Sequence, residues 1–159
     1  MCSSDLFTKH GVFSKAEIHA RYEILTESYC KTMAIEALAM IDITKRKIIP
    51  ACIAYQSDLA SLLHKKEKAG GSYDTSLEDF LLGNISALSA KLLENLKTLE
   101  NVCEEAESEQ KIDAKAAFIS NKVVAAMAQL RDTADELESL VAEKHWPLPS
   151  YTELLYSVV

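Results

Sequence analysis

The feature that most constrains the fold is an apolar repeat, stepping by three or four residues, that runs through two long stretches of the chain. This spacing places the apolar side chains on one face of an α-helix. The sequence has only 4 Gly and 3 Pro in 159 residues, too few turn-forming residues for a protein of many short strands. It therefore predicts an all-α fold, an antiparallel bundle of three long helices. The two repeats are Leu77, Leu81, Ile85, Leu88, Leu92, Leu96, Leu99, Cys103 and Ala106, and Ala116, Ile119, Val123, Ala126, Leu130, Thr133, Leu137 and Leu140.

Helix boundaries follow from local capping signals. Ser14 and Glu17 form a capping box, in which each side chain bonds the other residue's amide, and Thr75-Ser76-Leu77-Glu78 is a similar signal at the start of helix two. Gly70-Gly71 follows a basic last turn and suits a left-handed helix end. We predict a single domain over residues 1–159, whose parts are a leading segment 1–13, helix one 14–69, helix two 75–107, helix three 112–144 and a docking tail 145–159.

Two proline-containing segments need separate interpretation. Pro50 lacks an amide hydrogen and crowds the carbonyl of Arg46, yet the apolar pattern resumes at once, so we predict a kink in helix one and not a reversal. Pro147 and Pro149 keep the tail out of a helix until a short helical turn at 152–156. A tail this rich in aromatic and leucine side chains is expected to cover an apolar surface.

Helix one is too long for its partners. At 1.5 Å per residue it runs roughly 80 Å, against roughly 45–50 Å for each of the others. Helix two, folding back from the glycines, is predicted to reach only to about residue 40. The excess and the tail supply the candidate interface residues: Ile18, Tyr22, Ile24, Leu25, Tyr29, Ile35, Leu38, Trp146, Pro147, Pro149, Tyr151, Leu154 and Leu155.

Charge and cysteine usage narrow the environment. The formal charge of −7 disfavours binding to nucleic acid phosphates. No apolar run of 18 residues is present to span a membrane, and the start of the chain lacks the features of a secretion signal. Four scattered cysteines without a C-x-x-C pattern indicate reduced thiols. We expect a cytoplasmic protein.

Motifs for chemistry are missing from the sequence. It contains no phosphate-binding glycine loop, no H-E-x-x-H and no G-x-S-x-G. His19, Glu23 and Glu27 share one helix face and could bind a divalent metal, although an ion-paired surface that includes Lys31 is the stronger interpretation. We predict no catalytic, cofactor-binding or metal-binding residue in this chain.

Several stretches together resemble one family. They are Arg21-Tyr22-Glu23-Ile24-Leu25, Ile35-Glu36-Ala37-Leu38, Ile48-Ile49-Pro50-Ala51 and the closing Trp146-Pro147-Leu148-Pro149-Ser150-Tyr151. These stretches look like the C-terminal region of the type III glutamine synthetases, a long-chain bacterial class. The resemblance starts near residue 6, and residues 56–110 match only as generic helix.

The resemblance implies a role outside catalysis. Family members join ammonia to glutamate with ATP and a divalent metal, in rings stacked in pairs, and their catalytic residues lie in an upstream β-rich domain. The chain is then an excised C-terminal domain whose partners are its own catalytic domain and neighbouring subunits of a homo-oligomeric ring. Two alternatives stay open, a stand-alone helical adaptor or oligomerisation module, and a small metal-dependent enzyme using His19, Glu23 and Glu27.

Overall fold

A computed structural model describes residues 3–149 and 151–156, and within these ranges the chain is helical with no strand. The predicted all-α class is confirmed. The elements are α1 (Ser3–Lys9), α2 (Lys15–Ile43), a first π turn (Thr44–Ile48), α3 (Ile49–Lys68), α4 (Ser76–Ser108), α5 (Ile112–Phe118), a second π turn (Ile119–Val123), α6 (Val124–Glu138) and α7 (Tyr151–Tyr156).

Helix one consists of α2, the first π turn and α3, and it passes Pro50 without breaking. The π turn lies just before the proline, and the Ile49 amide donates to the Thr44 carbonyl five residues back. Because a π turn widens the helix, it relieves the contact between the proline ring and the preceding turn. The disturbance expected at Pro50 is therefore placed a few residues upstream.

Helix three consists of α5, the second π turn and α6. Here the Val124 amide donates to the Ile119 carbonyl, again five residues back. No proline or glycine lies within this turn. Sequence patterning gave no sign of it, because the apolar steps of three and four continue through it unchanged.

Side-chain pairs between helices define the order of the bundle. Lys66 pairs with Glu78 at 2.6 Å and Lys45 pairs with Glu100, so helix two runs antiparallel to helix one. Tyr22 bonds Asp113 and Asp58 contacts His145, so helix three runs parallel to helix one. All three helices contact one another around a single core.

The core follows the predicted repeats of helices two and three. Leu92, Leu99, Leu130 and Leu137 are fully buried. Thr133 is also fully buried, and its hydroxyl accepts a hydrogen bond from the Asn95 amide at 2.9 Å. A buried polar pair of this kind fixes how helix two and helix three slide along each other. Leu77, predicted in the repeat, is exposed instead and lies in the first turn of α4.

Helix one buries a face other than its most regular apolar row. That row runs through Ile18, Tyr22, Leu25, Tyr29 and Met33, and of these Met33 packs against the core. Most of the buried residues are small, and the whole set is Cys30, Ala37, Thr44, Ile48, Ala51, Cys52 and Leu59. Small side chains let the helix axes approach closely.

Several predicted boundaries shift. The leading segment 1–13 contains a short helix, α1, which ends before Gly11 at a φ of +66°. The capping box predicted at Thr75 is absent, because the Thr75 side chain makes no capping hydrogen bond; the carboxylate of Asp74 accepts from the Ser76 amide at 2.9 Å instead. Helix three ends at Glu138, not 144, because the Ser139 hydroxyl donates to the Glu136 carbonyl and the chain turns there. The capping box of Ser14 and Glu17 is present as predicted.

The bundle covers more of helix one than the predicted limit near residue 40. Glu109 and Lys111 are extended and carry the chain beyond the end of α4 before α5 begins. The Tyr22 hydroxyl consequently donates to Asp113 at 2.8 Å. The overhang is therefore shorter than predicted, because Cys30 and Ala37 are buried, whereas residues 19–25 remain exposed.

Candidate docking surface

An apolar stripe lies exposed along one flank of α2. It consists of Ile18, Tyr22, Leu25 and Tyr29, spaced by four, three and four residues, and we name it the tyrosine stripe. Leu25 is 70% exposed and Tyr22 is 52% exposed, whereas Ile18 is half-buried. Residues at this spacing form one continuous row on a helix, the arrangement used to pack against another helix or a flat apolar surface.

A second apolar group lies on another side of the same helix. Ile24, Ile35 and Leu38 are all more than half exposed, and we name them the isoleucine group. The residue numbers place them on the side away from the tyrosine stripe, with the buried residues Cys30 and Ala37 between the two on one arc. α2 therefore presents apolar side chains to its own bundle and to solvent on both flanks.

Charged residues on α2 pair with one another. Lys31 contacts Glu27 at 2.7 Å, and His19 contacts Glu23 at 3.3 Å. The hydrogen bond from Lys31 lowers the pKa of Glu27 below its usual value. His19, Glu23 and Glu27 thus do not converge on one point, and no group of three metal-ligating side chains occurs in the part of the chain that the structure describes.

The tyrosine stripe is held in place by the bundle. The hydroxyl of Tyr22 donates to Asp113 at the start of helix three, and this bond raises the pKa of Tyr22 because it favours the protonated phenol. Arg21 lies 4.6 Å from the ring centroid of Phe13, which in turn packs against Phe7. Tyr22 is thus the member of the stripe that is joined to helix three by a hydrogen bond.

The tail divides into a packed half and an exposed half. Trp146 and Leu148 pack against the core, and Pro147 is half-buried. His145 contacts Asp58 at 3.0 Å and lies with its ring centroid 5.5 Å from that of Tyr55. Pro149, Leu154 and Leu155 are exposed. The side chain of Tyr151 lies outside the described residues.

Sequence reasoning missed an apolar patch at the opposite end of the bundle. Tyr73, Leu77 and Phe80 are all more than half exposed near the turn between helix one and helix two. Phe80 falls between the members of the helix-two repeat, a position that could have signalled a second apolar side. The patch lies far from α2 because Glu78 pairs with Lys66 near the end of helix one.

The structure also bears on the predictions about the cysteine thiols and about a membrane-spanning segment. Cys30, Cys52 and Cys103 are free thiols, and burial raises the pKa of Cys52 and of Cys103. Cys2 lies outside the described residues. Among the helices at 3–149 and 151–156, none is long and apolar enough to cross a membrane.

Fold and surface together define an all-helical bundle domain with uncovered apolar flanks. Comparisons with known proteins are more specific. Residues 2–67 match the family described as the glutamine synthetase C-terminal domain. The chain is 35% identical over 156 residues to a glutamine synthetase from Butyrivibrio fibrisolvens, covering 98% of this chain and 22% of that protein. It is 28% identical to a type-3 glutamine synthetase from Dictyostelium discoideum, covering 95% and 21%.

These comparisons confirm the predicted resemblance to the C-terminal region of the glutamine synthetases. A glutamine synthetase from Bacteroides fragilis, 25% identical over 150 residues, shows the same proportions. The chain spans about a fifth of the length of each of these relatives. The family match of residues 2–67 takes in helix one, which carries both exposed groups on α2.

Proposed function

We propose that this chain is a non-catalytic assembly domain of a type III glutamine synthetase, packing against the catalytic domain of its own subunit and against neighbouring subunits of a ring. The relatives supply the enzyme class, since they are glutamine synthetases of about five times this length. In this proposal the remaining part of the protein forms glutamine from glutamate and ammonia, using ATP and a divalent metal, in the cytoplasm.

The observation that carries the proposal is the exposed tyrosine stripe. Fully burying a side chain the size of leucine is worth about 1.5–3 kcal/mol. Leu25 and Tyr22 therefore offer a large gain to any surface that covers them. Because Tyr22 is already fixed to Asp113, docking would cost little side-chain entropy at that position.

Chimeric enzymes test the assembly role. The matching fifth of the Butyrivibrio fibrisolvens enzyme is replaced by this chain, and subunit number is measured by native mass spectrometry. We expect the chimera to form a ring and Leu25→Glu to reduce it to smaller species, because a carboxylate cannot be buried unpaired at an apolar contact. Ile53→Glu, at an equally exposed position on α3, serves as the matched control.

Two outcomes would contradict the proposal. A Leu25→Glu chimera that keeps the wild-type subunit number would remove the stripe from assembly. Glutamine formation by the 159-residue chain alone, from glutamate, ammonia and ATP, would contradict a non-catalytic role. The intact mass of the native polypeptide separates this proposal from a stand-alone adaptor, since the proposal requires a chain several times longer.

A further inference from the structure

A cleft of about 340 Å³ opens where α2, the end of α4 and the start of helix three meet. It exists because the facing positions carry small side chains, including Cys30 and Ala34 on α2 and Cys103 and Ala106 on α4. Helix three begins beyond the end of α4, so nothing larger fills the space between them. The volume is at the lower end of the range for small-molecule pockets.

The interior of the cleft is apolar. Its walls include Leu38, Ile112, Ile119 and Val123 in addition to the small residues. Burial, together with the neighbouring Glu107 and Glu100, raises the pKa of Cys103, so this thiol stays neutral near pH 7. An occupant of the interior would therefore need an apolar body.

Charged side chains line the mouth of the cleft, and among them Lys115 differs in being half-buried, with no partner in the described part of the chain. Glu27 and Lys31 neutralise each other at 2.7 Å, and Glu109 accepts a hydrogen bond from the Lys111 amide. Glu107 is exposed to solvent and lies on the side of Cys103, whose pKa it helps to raise. Lys115 is half-buried at the mouth, and no hydrogen bond or ion pair joins its ammonium group to a described residue.

A lysine without a partner at the edge of an apolar cleft is free to pair with an incoming carboxylate. We propose that this cleft binds a small amphipathic carboxylate, with an alkyl or aryl chain among Ala34, Ala106 and Ile119 and the carboxylate at Lys115. Apart from Leu38, the site uses none of the exposed groups on α2, and the inference does not depend on the assembly role.

Octanoate is a suitable probe. Calorimetric titration of the 159-residue chain, with backbone amide shifts read by NMR, is expected to show binding that perturbs residues of the cleft. Lys115→Gln should weaken the affinity roughly tenfold, the effect of losing a charged hydrogen bond. Lys111→Gln, a nearby exposed lysine outside the cleft, should leave the affinity unchanged.

Matched ligands and a filling variant complete the test. Octylamine has the same chain with the opposite charge and should bind more weakly than octanoate. Ala34→Leu fills the cleft and should abolish octanoate binding, with circular dichroism showing that the helices are retained. Octanoate that does not bind, octylamine that binds as tightly, or equal affinity for Lys115→Gln and wild type would each overturn the proposal.

Discussion

At the scale of single residues, side-chain size decides which face of helix one is buried. Cys30, Ala37 and Cys52 are among its most buried residues, whereas the larger Leu25 and Ile35 are left outside. Close approach of helices favours small side chains along the contact, and the neighbouring helices supply the bulk through Leu92, Leu99 and other leucines. Hydrophobicity alone therefore does not identify the buried face of this helix.

Leu130 tests the packing of the interior. It is 1% exposed, in the middle of helix three. We expect Leu130→Ala to lower the free energy of unfolding by roughly 2–4 kcal/mol, because the cavity left behind is only partly refilled. Urea denaturation measures the change. Leu93→Ala, at a largely exposed position on α4, should change it by less than about 0.5 kcal/mol, and equal losses for the two variants would contradict the assigned core.

Glu78 provides a pH-dependent contribution. Its hydrogen bond from Lys66, at 2.6 Å, lowers the pKa of the carboxyl below its ordinary value of 4.5. A carboxyl group whose pKa is lowered by folding stabilises the folded protein at pH values above its unfolded pKa. That contribution is lost as the pH falls through its folded pKa. We expect wild type to be more stable than Glu78→Gln at pH 7, with the difference vanishing in acid.

Urea denaturation at pH values from 7 down to about 3 measures the difference in unfolding free energy between wild type and Glu78→Gln. This range includes the pH at which glutamate in the unfolded chain becomes protonated. Glu94→Gln is the control, because this glutamate is exposed on the same helix and its carboxylate forms no ion pair with a described residue. A stability gap between wild type and Glu78→Gln that is constant with pH would show that the carboxylate charge does not contribute.

At the scale of elements, the tail packs against the bundle over only part of its length. Its first half packs on the bundle through Trp146 and Leu148, while α7 leaves Leu154 and Leu155 outside. The buried indole nitrogen of Trp146 has no hydrogen-bond partner among the described residues, so the apolar ring supplies the attachment. Of the tail that was predicted to dock on an apolar surface, only the first half therefore packs against this chain.

Trp146→Ala is expected to cost roughly 2 kcal/mol of unfolding free energy, less than a fully buried tryptophan because the ring is half-buried. Leu155→Ala, at a position 73% exposed, should be nearly neutral. Thermal or urea denaturation of both variants checks this. A neutral Trp146→Ala would place the binding groove of the tryptophan in a part of the protein outside this chain.

The sequence predicted elements well where capping and patterning act locally. The start of helix one at Ser14 and the apolar repeats of α4 and α6 follow from spacing alone. The second π turn could not be foreseen, because the apolar steps run through Ile119 and Val123 without a break. The cleft at Lys115 was equally out of reach, since it depends on how far the extended residues around Glu109 carry the chain.

At the scale of the whole molecule, stability is unevenly spread along helix one. Residues 15–25 are exposed apart from Ile18, whereas the stretch through Ile48, Cys52 and Leu59 lies in the core. Helical turns with few buried contacts open more readily. The uncovered flanks of α2 are therefore expected to coincide with the least stable part of the longest helix.

Hydrogen exchange on the isolated chain measures this directly. Amides of residues 19–25 should exchange at least roughly tenfold faster than those of residues 52–60. In the chimeric enzyme the same amides should become protected, because docking removes the apolar flank from water. Uniform protection along helix one in the isolated chain would contradict this uneven stability and, with it, the need for a covering partner.

Because of the first π turn, helix one is expected to accept a one-residue deletion at that turn but not elsewhere. The turn accommodates one residue more than an α-helix of equal rise, between the buried positions Thr44 and Cys52. A one-residue deletion inside the turn would keep both on the buried side. The same deletion elsewhere in helix one would rotate everything after it by about 100° and turn Leu59 out of the core.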